Sequence, residues 1–270
     1  MSEIKRVIII GIDGAGNFLQ KVDTPHLDRF FAQGAVTFDA SADYPSGSAE
    51  NWGAAFHGVS CEKHGVYYEN INQQPFSENS AYPSFFKVIQ QHEPQSKLAA
   101  FSSWEPINSG LIEQSSYVAK VSKKDELMMP EVLHYIHNED PRLLFIHLGD
   151  VDYAGHDYGF QSEQYYQEIQ RADGYFGQLM EAITARGWLS DSVVIVLTDH
   201  GGGGVNLKDH GSDHPLDMTI FWSCAGPGIR PGQKLASSIH IMDTAAVVLH
   251  AFGIAQPETW DARVPQELFQ

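Results

Sequence analysis

Residues 192–204 read SVVIVLTDHGGGG, an apolar, β-branched run that ends in Asp199, His200 and four glycines. Such a run before turn-forming residues is typical of a strand that is buried on both faces of a parallel sheet. Three other runs share this character: 6–12 (RVIIIGI), 97–103 (KLAAFSS) and 142–148 (RLLFIHL). Because amphipathic stretches separate these runs, the sequence predicts an α/β fold with a central, mostly parallel sheet and helices on both faces.

Helix signals occur between the predicted strands. In TPHLDRFFAQG (24–34), Thr24 suits an N-cap, Pro25 the first helical position and Gly34 the C-cap. Similar reasoning predicts helices near 82–92, 124–138, 162–187 and 242–252. Since no repeat, low-complexity tract or long linker divides the chain, we expect residues 1–270 to form a single domain.

Composition limits the classes of partner. The formal net charge of −17 disfavours nucleic acid polymers and anionic membranes, whereas bound dications would still allow a small phosphate-containing substrate to bind. The run Val7–Ile10 is too short for a signal peptide, no run of about 18 apolar residues occurs, and the two cysteines form no CxxC motif. We therefore expect a soluble, reduced, cytoplasmic protein.

Polar residues follow three of the predicted strands, at the sheet edge where ligands bind in α/β proteins. Asp13 follows the first strand, Asp152 the third, and Asp199 and His200 the fourth. Carboxylates brought together at one rim repel each other unless cations lie between them. The sequence therefore predicts a metal site at this edge.

Two further histidines are candidate ligands for such metals. In GDVDYAGHDYG (149–159), a tight glycine-containing turn would bring Asp152 and His156 to one ion, although an ordinary polar loop is an alternative. In KDHGSDH, His210 is a candidate and His214 competes for the same role. The glycine-rich stretches GIDGAG and GGGG lack the spacing of a dinucleotide-binding turn and the lysine of a P-loop.

A nucleophile is expected in YPSGSAENWGAAFHGVSCEKHGV (44–66), where Ser46, Ser48 and Ser60 all qualify chemically. A bound dication can ionise a serine hydroxyl without a histidine base. The alternative role for each serine is a helix cap, and Ser48 lies beside a plausible helix, ENWGAAFHG. Both roles are compatible at Ser48, because a helix N-terminus also stabilises an anionic oxygen.

Seven motifs in order resemble the type I phosphodiesterase/nucleotide pyrophosphatase branch of the alkaline phosphatase superfamily. They are IIIGIDG, TPHLDRF, SAENWGAAFHGVSCEKHGV, DVDYAGHDYG, VIVLTDHGGGG, DHG and AGPGI. The resemblance covers residues 6 to about 253 and implies an alkaline phosphatase-like fold. It also implies that the chain hydrolyses a phosphodiester or nucleotide pyrophosphate through a serine-linked intermediate.

The resemblance implies a role for each matching residue. Ser48 is the nucleophile and also contacts metal, and Asn51 donates its amide to a non-bridging phosphoryl oxygen. Two divalent ions, zinc or alternatively manganese, are held by two sets of ligands: Asp13, Asp199 and His200 for one, and Asp152, His156 and His210 for the other.

Departures from the family pattern leave specificity open. Ala49 and Glu50 replace the usual phenylalanine and proline, and Glu50 could repel an anionic substrate. The stretch 67–141, which would shape the substrate pocket, is short for the family. A phosphomonoesterase or phosphonate hydrolase is the alternative, although SAENWGAAFHG has no Arg or Lys to clamp a dianion. A sulfatase is disfavoured because this chain does not contain the Cys/Ser-x-Pro-x-Arg motif in which those enzymes resemble one another. A mutase is disfavoured because the chain has no room for the large inserted cap domain of that class. The non-enzymatic alternative is a non-catalytic, metal-stabilised binding protein.

Overall fold

The computed structural model describes residues 3–236 and 238–269. The strands within them are β1 (Arg6–Ile12), β2 (Ala35–Ser41), β3 (Leu98–Ser102), β4 (Val118–Ser122), β5 (Leu143–Leu148), β6 (Ser192–Leu197), β7 (Thr219–Ala225) and β8 (Gln233–Lys234). They form one sheet in the order β4-β3-β5-β1-β6-β7-β2-β8. All neighbours from β4 to β6 are parallel, and β7 is antiparallel to both β6 and β2. The prediction of a mostly parallel central sheet is confirmed.

Helices flank this sheet on both faces. They are α1 (Pro25–Gln33), α2 (Ser48–His57), α3 (Cys61–His64), α4 (Phe85–His92), α5 (Asp125–Asn138), α6 (Asp150–Tyr158), α7 (Glu163–Ala185), α8 (Pro215–Met218) and α9 (Asp243–Ala251). All five helices expected from the amphipathic stretches are present, as α1, α4, α5, α7 and α9. Over residues 3–236 and 238–269, no helix is both long and apolar enough to cross a membrane.

The alternation of side chains along β1 explains the two helical layers. Val7 and Ile9 pack into one buried cluster, which includes residues of α2, α4 and α9. Ile8 and Ile10 point to the opposite face and pack into a second cluster, with residues of α1, α5 and α7. Each fully buried side chain of this size stabilises the fold by about 1.5–3 kcal/mol. Because the side chains of β1 are apolar on both faces of the sheet, this strand is buried in the middle of the molecule.

The central position of β1 determines where the functional residues lie. Its register pairs Ile12 with Leu148 at the end of β5, and Gly11 with Leu197 at the end of β6. The backbone amide of Asp13 donates to the carbonyl of Leu148 at 2.8 Å. The residues that follow these three strands consequently lie at one rim of the sheet.

Candidate metal and nucleophile site

Ser48 is the first residue of α2, and its hydroxyl does not cap the helix. The N-cap is Gly47, and the Oγ atom of Ser48 lies 3.0 Å from His200 Nε2 and 3.4 Å from Asp13 Oδ1. Ser46, by contrast, donates its hydroxyl hydrogen to a backbone carbonyl oxygen at 2.7 Å. Of these two serines, Ser48 alone directs its hydroxyl at the candidate metal ligands.

Asp13, Asp199 and His200 meet beside that hydroxyl. His200 Nε2 lies 3.4 Å from Asp13 Oδ1 and 3.3 Å from Asp199 Oδ2. Asp199 and His200 are fully buried, and Asp13 is nearly so. The backbone amide of Gly14 donates to Asp199 Oδ1 at 3.1 Å, which fixes the orientation of this carboxylate. The structure thus brings the first predicted ligand set together.

The second predicted set also converges, by a local structure that differs from the expected one. Residues 149–159 are not a tight turn, because α6 runs through them and places Asp152 and His156 one helical turn apart. His156 Nε2 lies 3.4 Å from Asp152 Oδ2, and His210 Nε2 lies 3.8 Å from Asp152 Oδ1. Asp152 also groups with Asp13 and His200, so it stands between the two sets.

All three imidazoles in these sets are held in the same way. Their Nδ1 atoms face backbone carbonyl oxygens, with the pairs His156 to Lys208 (2.8 Å), His200 to Gly201 (2.7 Å) and His210 to Ser46 (2.7 Å). A carbonyl oxygen only accepts, so each Nδ1 carries a hydrogen, which leaves Nε2 as the atom that a neutral ring would offer to a metal ion. This is the tautomer and second contact that metal-ligating histidines usually have.

Two carboxylate oxygens of the site are buried without any hydrogen-bond partner, Asp152 Oδ1 and Asp199 Oδ2. A buried, unpaired carboxylate oxygen is costly, and lone pairs of carboxylate and imidazole that face each other need a cation between them. Oxygen and nitrogen ligands together suit zinc. The side chains therefore fit the divalent metal ions that the sequence predicted.

The pKa values of these side chains show how strongly their charges interact. Burial, together with the charge of Asp13, raises the pKa of Asp199 to about 7. Burial acts on Asp13 in the same direction, but hydrogen bonds with His147 and His200 outweigh it and hold the pKa of Asp13 below its usual range. A hydrogen bond to its carboxylate partner raises the pKa of His156 to about 9. Protons thus compete with metal ions here, and metal affinity should fall as the pH falls.

Asn51 does not occupy the position that the resemblance implied. Its side chain is fully buried, and its Nδ2 donates to the carbonyl oxygens of Asp43, Pro45 and Gly47 at 3.3, 3.3 and 2.9 Å. Its Oδ1 accepts from the Asp43 amide at 2.6 Å. Because both ends of the amide bond to the backbone, Asn51 has no free donor for a phosphoryl oxygen. Its role is to hold the loop 43–47 that leads into α2.

Asn51→Ala should therefore act mainly on stability. Removing the amide leaves several backbone groups without their partner, and we expect the free energy of unfolding to fall by about 2–3 kcal/mol in urea titrations. Asn138→Ala, at the exposed end of α5, is the control and should change stability by less than about 0.5 kcal/mol. Unchanged stability with a kcat lower by about 10²–10³-fold would instead restore the role of a direct oxyanion donor.

Two residues that the sequence left ambiguous have clear positions. His214 caps α8, with its Nδ1 accepting from the Leu216 amide at 3.1 Å, so His210 is the histidine of the site. Glu50 is buried in the first turn of α2, and its Oε1 accepts from the Tyr68 amide at 3.2 Å. Burial raises the pKa of this carboxyl group.

Sequence reasoning missed His147, which lies inside the apolar run of β5. Its Nε2 is 2.6 Å from Asp13 Oδ2, and the Nε1 of Trp52 donates to the same oxygen at 3.1 Å. A single histidine within a buried strand looks like core filling, and no spacing to another ligand type marked it. The one available signal was the alternation of side chains along β5, which places His147 on the face of the sheet that carries α2.

Ser48 lines a cavity of about 510 Å³. The rings of Tyr68 and Trp104 stand nearly parallel on its wall, with centroids 6.3 Å apart and planes 8° apart, and Tyr68 is 67% exposed. Besides the candidate metal ligands, the charged residues of the wall are acidic: Glu50, Glu69 and Asp209. Over the described parts of the chain, neither Lys nor Arg lines this cavity.

Fold and site together define a protein of the alkaline phosphatase superfamily. The family model for type I phosphodiesterase / nucleotide pyrophosphatase matches residues 7–251, and the chain belongs to this family. The family resemblance expected from the motifs is thereby confirmed.

Individual relatives are distant in sequence and close in fold. The mouse ectonucleotide pyrophosphatase/phosphodiesterase family member 7 is 23% identical over 232 residues, which cover 75% of this chain and 51% of the mouse protein. A bovine bis(5'-adenosyl)-triphosphatase is 22% identical over 215 residues, 73% of this chain and 47% of that protein. The chain thus spans about half the length of these relatives. The solved structure of murine ectonucleotide pyrophosphatase/phosphodiesterase 5 superposes with a TM-score of 0.77 at 15% identity, covering 98% of this chain and 100% of that one.

Proposed function

We propose that this chain is a metal-dependent hydrolase of phosphodiesters or nucleotide pyrophosphates that acts through a covalent intermediate on Ser48. The position of the Ser48 hydroxyl carries the proposal. It stands at the N-terminus of α2, it contacts both Asp13 and His200, and it lines the cavity. Ser48 does not cap α2, which was the alternative role for its side chain.

We propose zinc as the metal, with manganese as the substitute, because each ligand set combines carboxylate with imidazole. When bound, the ions would favour ionisation of the Ser48 hydroxyl and neutralise negative charge on the reacting phosphate. The residues that would hold them are Asp13, Asp199 and His200 for one ion, and Asp152, His156 and His210 for the other. Within the described residues, one cluster of possible metal-binding side chains consists of Asp152, His156 and His210, and another of Asp13, Asp152 and His200. Asp152 therefore adjoins both, and we assign Asp199 to the ion of Asp13 and His200 because its Oδ2 lies 3.3 Å from His200 Nε2.

The chain's own contribution to the reaction begins at Ser48. Its oxygen attacks phosphorus, so that a bond from Ser48 Oγ to phosphorus forms while the ester bond to the departing alcohol breaks. Water then attacks the same phosphorus, the bond to Ser48 breaks, and the serine is regenerated. The first turn of α2 favours the negative charge that develops beside it, because helix N-termini carry partial positive charge.

The charges of the cavity favour a diester over a monoester. A monoester dianion is usually clamped by arginine or lysine, and the described residues of the wall supply neither. Glu50 and Glu69 add negative charge, which a singly charged diester tolerates better than a dianion. Two relatives agree with a nucleotide-containing diester or pyrophosphate as substrate. The bovine relative is a bis(5'-adenosyl)-triphosphatase, and murine ectonucleotide pyrophosphatase/phosphodiesterase 5 has also been solved in complex with AMP.

A substrate panel tests the proposal. The zinc-loaded protein would be assayed with methyl p-nitrophenyl phosphate, thymidine 5'-(p-nitrophenyl phosphate), p-nitrophenyl phosphate and p-nitrophenyl sulfate. We expect kcat/KM for the better diester to exceed that for the monoester by at least about tenfold, since the dianion lacks a charge-assisted partner. A higher value for the monoester would make the chain a phosphomonoesterase, and no hydrolysis of any ester would favour a binding protein.

A further inference from the structure

The two oxygens of Asp13 have different surroundings. Oδ1 faces Ser48 Oγ and His200 Nε2, each at 3.4 Å, and so points into the candidate metal site. Oδ2 points away from it, toward His147 Nε2 at 2.6 Å and Trp52 Nε1 at 3.1 Å. One carboxylate group thus has a side for the metal and a side for the protein core.

The direction of the hydrogen bonds around His147 follows from which groups can donate. A carboxylate only accepts, so Nε2 of His147 carries a hydrogen and donates to Asp13. The Nδ1 atom lies 3.3 Å from the hydroxyl oxygens of both Ser102 and Ser103. The Ser102 hydroxyl donates its one hydrogen to the Trp104 carbonyl at 2.7 Å, which leaves Ser103 as the hydroxyl available to donate to Nδ1.

Packing holds both donors in place. His147 and Trp52 are buried, and their rings meet edge to face at 5.2 Å with an interplanar angle of 83°. Gly11 lies opposite His147 in the register of β1 and β5. A Cβ atom at Gly11 would come within 2.2 Å of the Trp52 ring, so only glycine leaves room for this tryptophan. The donors therefore have little freedom to move away from Asp13.

We propose that His147 is a positioning residue for the metal site, which together with Trp52 engages Oδ2 of Asp13 and leaves Oδ1 as the ligand oxygen. The proposal rests on the proposed function only in taking Asp13 as a metal ligand. Partners of this kind orient a ligand before the ion arrives, and their loss typically weakens metal binding by about 10–100-fold. The effect should be confined to the ion that Asp13 holds.

Stepwise zinc binding tests this selectivity. Competition with a chromophoric chelator gives separate affinities for the two zinc equivalents of the wild type, His147→Leu and His147→Gln. We expect His147→Leu to weaken one equivalent by about 10–100-fold and leave the other close to wild type. His147→Gln keeps an N–H group near the position of Nε2, so its affinity for the weakened zinc equivalent should lie between those of the wild type and His147→Leu.

His57→Gln is the matched control. His57 is also fully buried, and its ring nitrogens contact the carbonyl oxygens of Tyr82 and Leu111 at 2.9 and 3.1 Å, away from Asp13. It should lower stability without weakening either zinc equivalent. If His147→Leu does not fold, Trp52→Phe, which removes the other N–H group and keeps an aromatic ring, should weaken the same single equivalent.

Each other outcome overturns an identifiable claim. Wild-type affinities in His147→Leu, or an equal loss at both equivalents that His57→Gln reproduces, would show that His147 only fills the core. A wild-type protein that hydrolyses diesters with zinc bound but shows no selective loss in these variants would overturn the inference and leave the proposed function intact. A wild-type protein that binds no zinc would overturn the metal assignment itself.

Discussion

Ser48→Ala should lower kcat by at least about 10³-fold, because the reaction then lacks the oxygen that forms the covalent bond to phosphorus. The fold and both zinc equivalents should remain, since three carboxylate and imidazole ligands are left for each ion and the hydroxyl caps no helix. The measurement is turnover of a p-nitrophenyl diester together with zinc content and thermal unfolding. Burst kinetics of the wild type, absent in the variant, would identify the covalent step.

Two other serines serve as comparisons for this variant. Ser60, at the N-cap of α3, makes no capping bond with its side chain, so Ser60→Ala should keep full turnover. Ser46 donates to the Ser212 carbonyl and accepts from the Gly211 amide, so Ser46→Ala should loosen the segment next to His210 without removing chemistry. An essential Ser46 with a dispensable Ser48 would show that the family motif applies two residues earlier.

Removing the metal ions should abolish turnover and destabilise the protein together. Asp13, Asp152 and Asp199 would be left facing one another, and two of their oxygens have no hydrogen-bond partner in the structure. Zinc at about 1,000 times its Kd should raise the free energy of unfolding by about 4 kcal/mol for each site. The measurement is thermal unfolding and diester turnover before chelation, after it, and after return of zinc or manganese. Full turnover in a sample verified as metal-free would disprove the metal assignment.

The parallel half of the fold could be predicted from sequence because its strands are continuous apolar runs. β1, β3, β5 and β6 are buried along their lengths, and the residues that follow three of them reach the site as expected. β7 was missed, although it is almost as buried, because its serine, cysteine and tryptophan interrupt the β-branched pattern. β4 was missed because an exposed edge strand has no such pattern.

The residues of the candidate site likewise differ in whether a local sequence pattern fixes their positions. Ligands that follow strands directly, such as Asp13 and Asp199, could be placed from sequence, since strand ends fix them. The direction of the Asn51 amide depends on carbonyl groups in a loop whose path no local pattern records. The helix that carries Asp152 and His156 did have a signal, because a spacing of four residues aligns side chains on one helical face.

The position of β1 between β5 and β6 also has a consequence for synthesis on the ribosome. About 130 residues separate β1 from β5, and at about 5–20 residues per second their synthesis takes roughly 7 to 26 seconds. During that time the strand Val7–Ile10, buried on both faces in the finished sheet, has neither parallel neighbour. A nascent chain of this protein should therefore be a good client for chaperones that bind short apolar segments, until first the strand of His147 and then β6 emerge and β1 is paired on both of its edges.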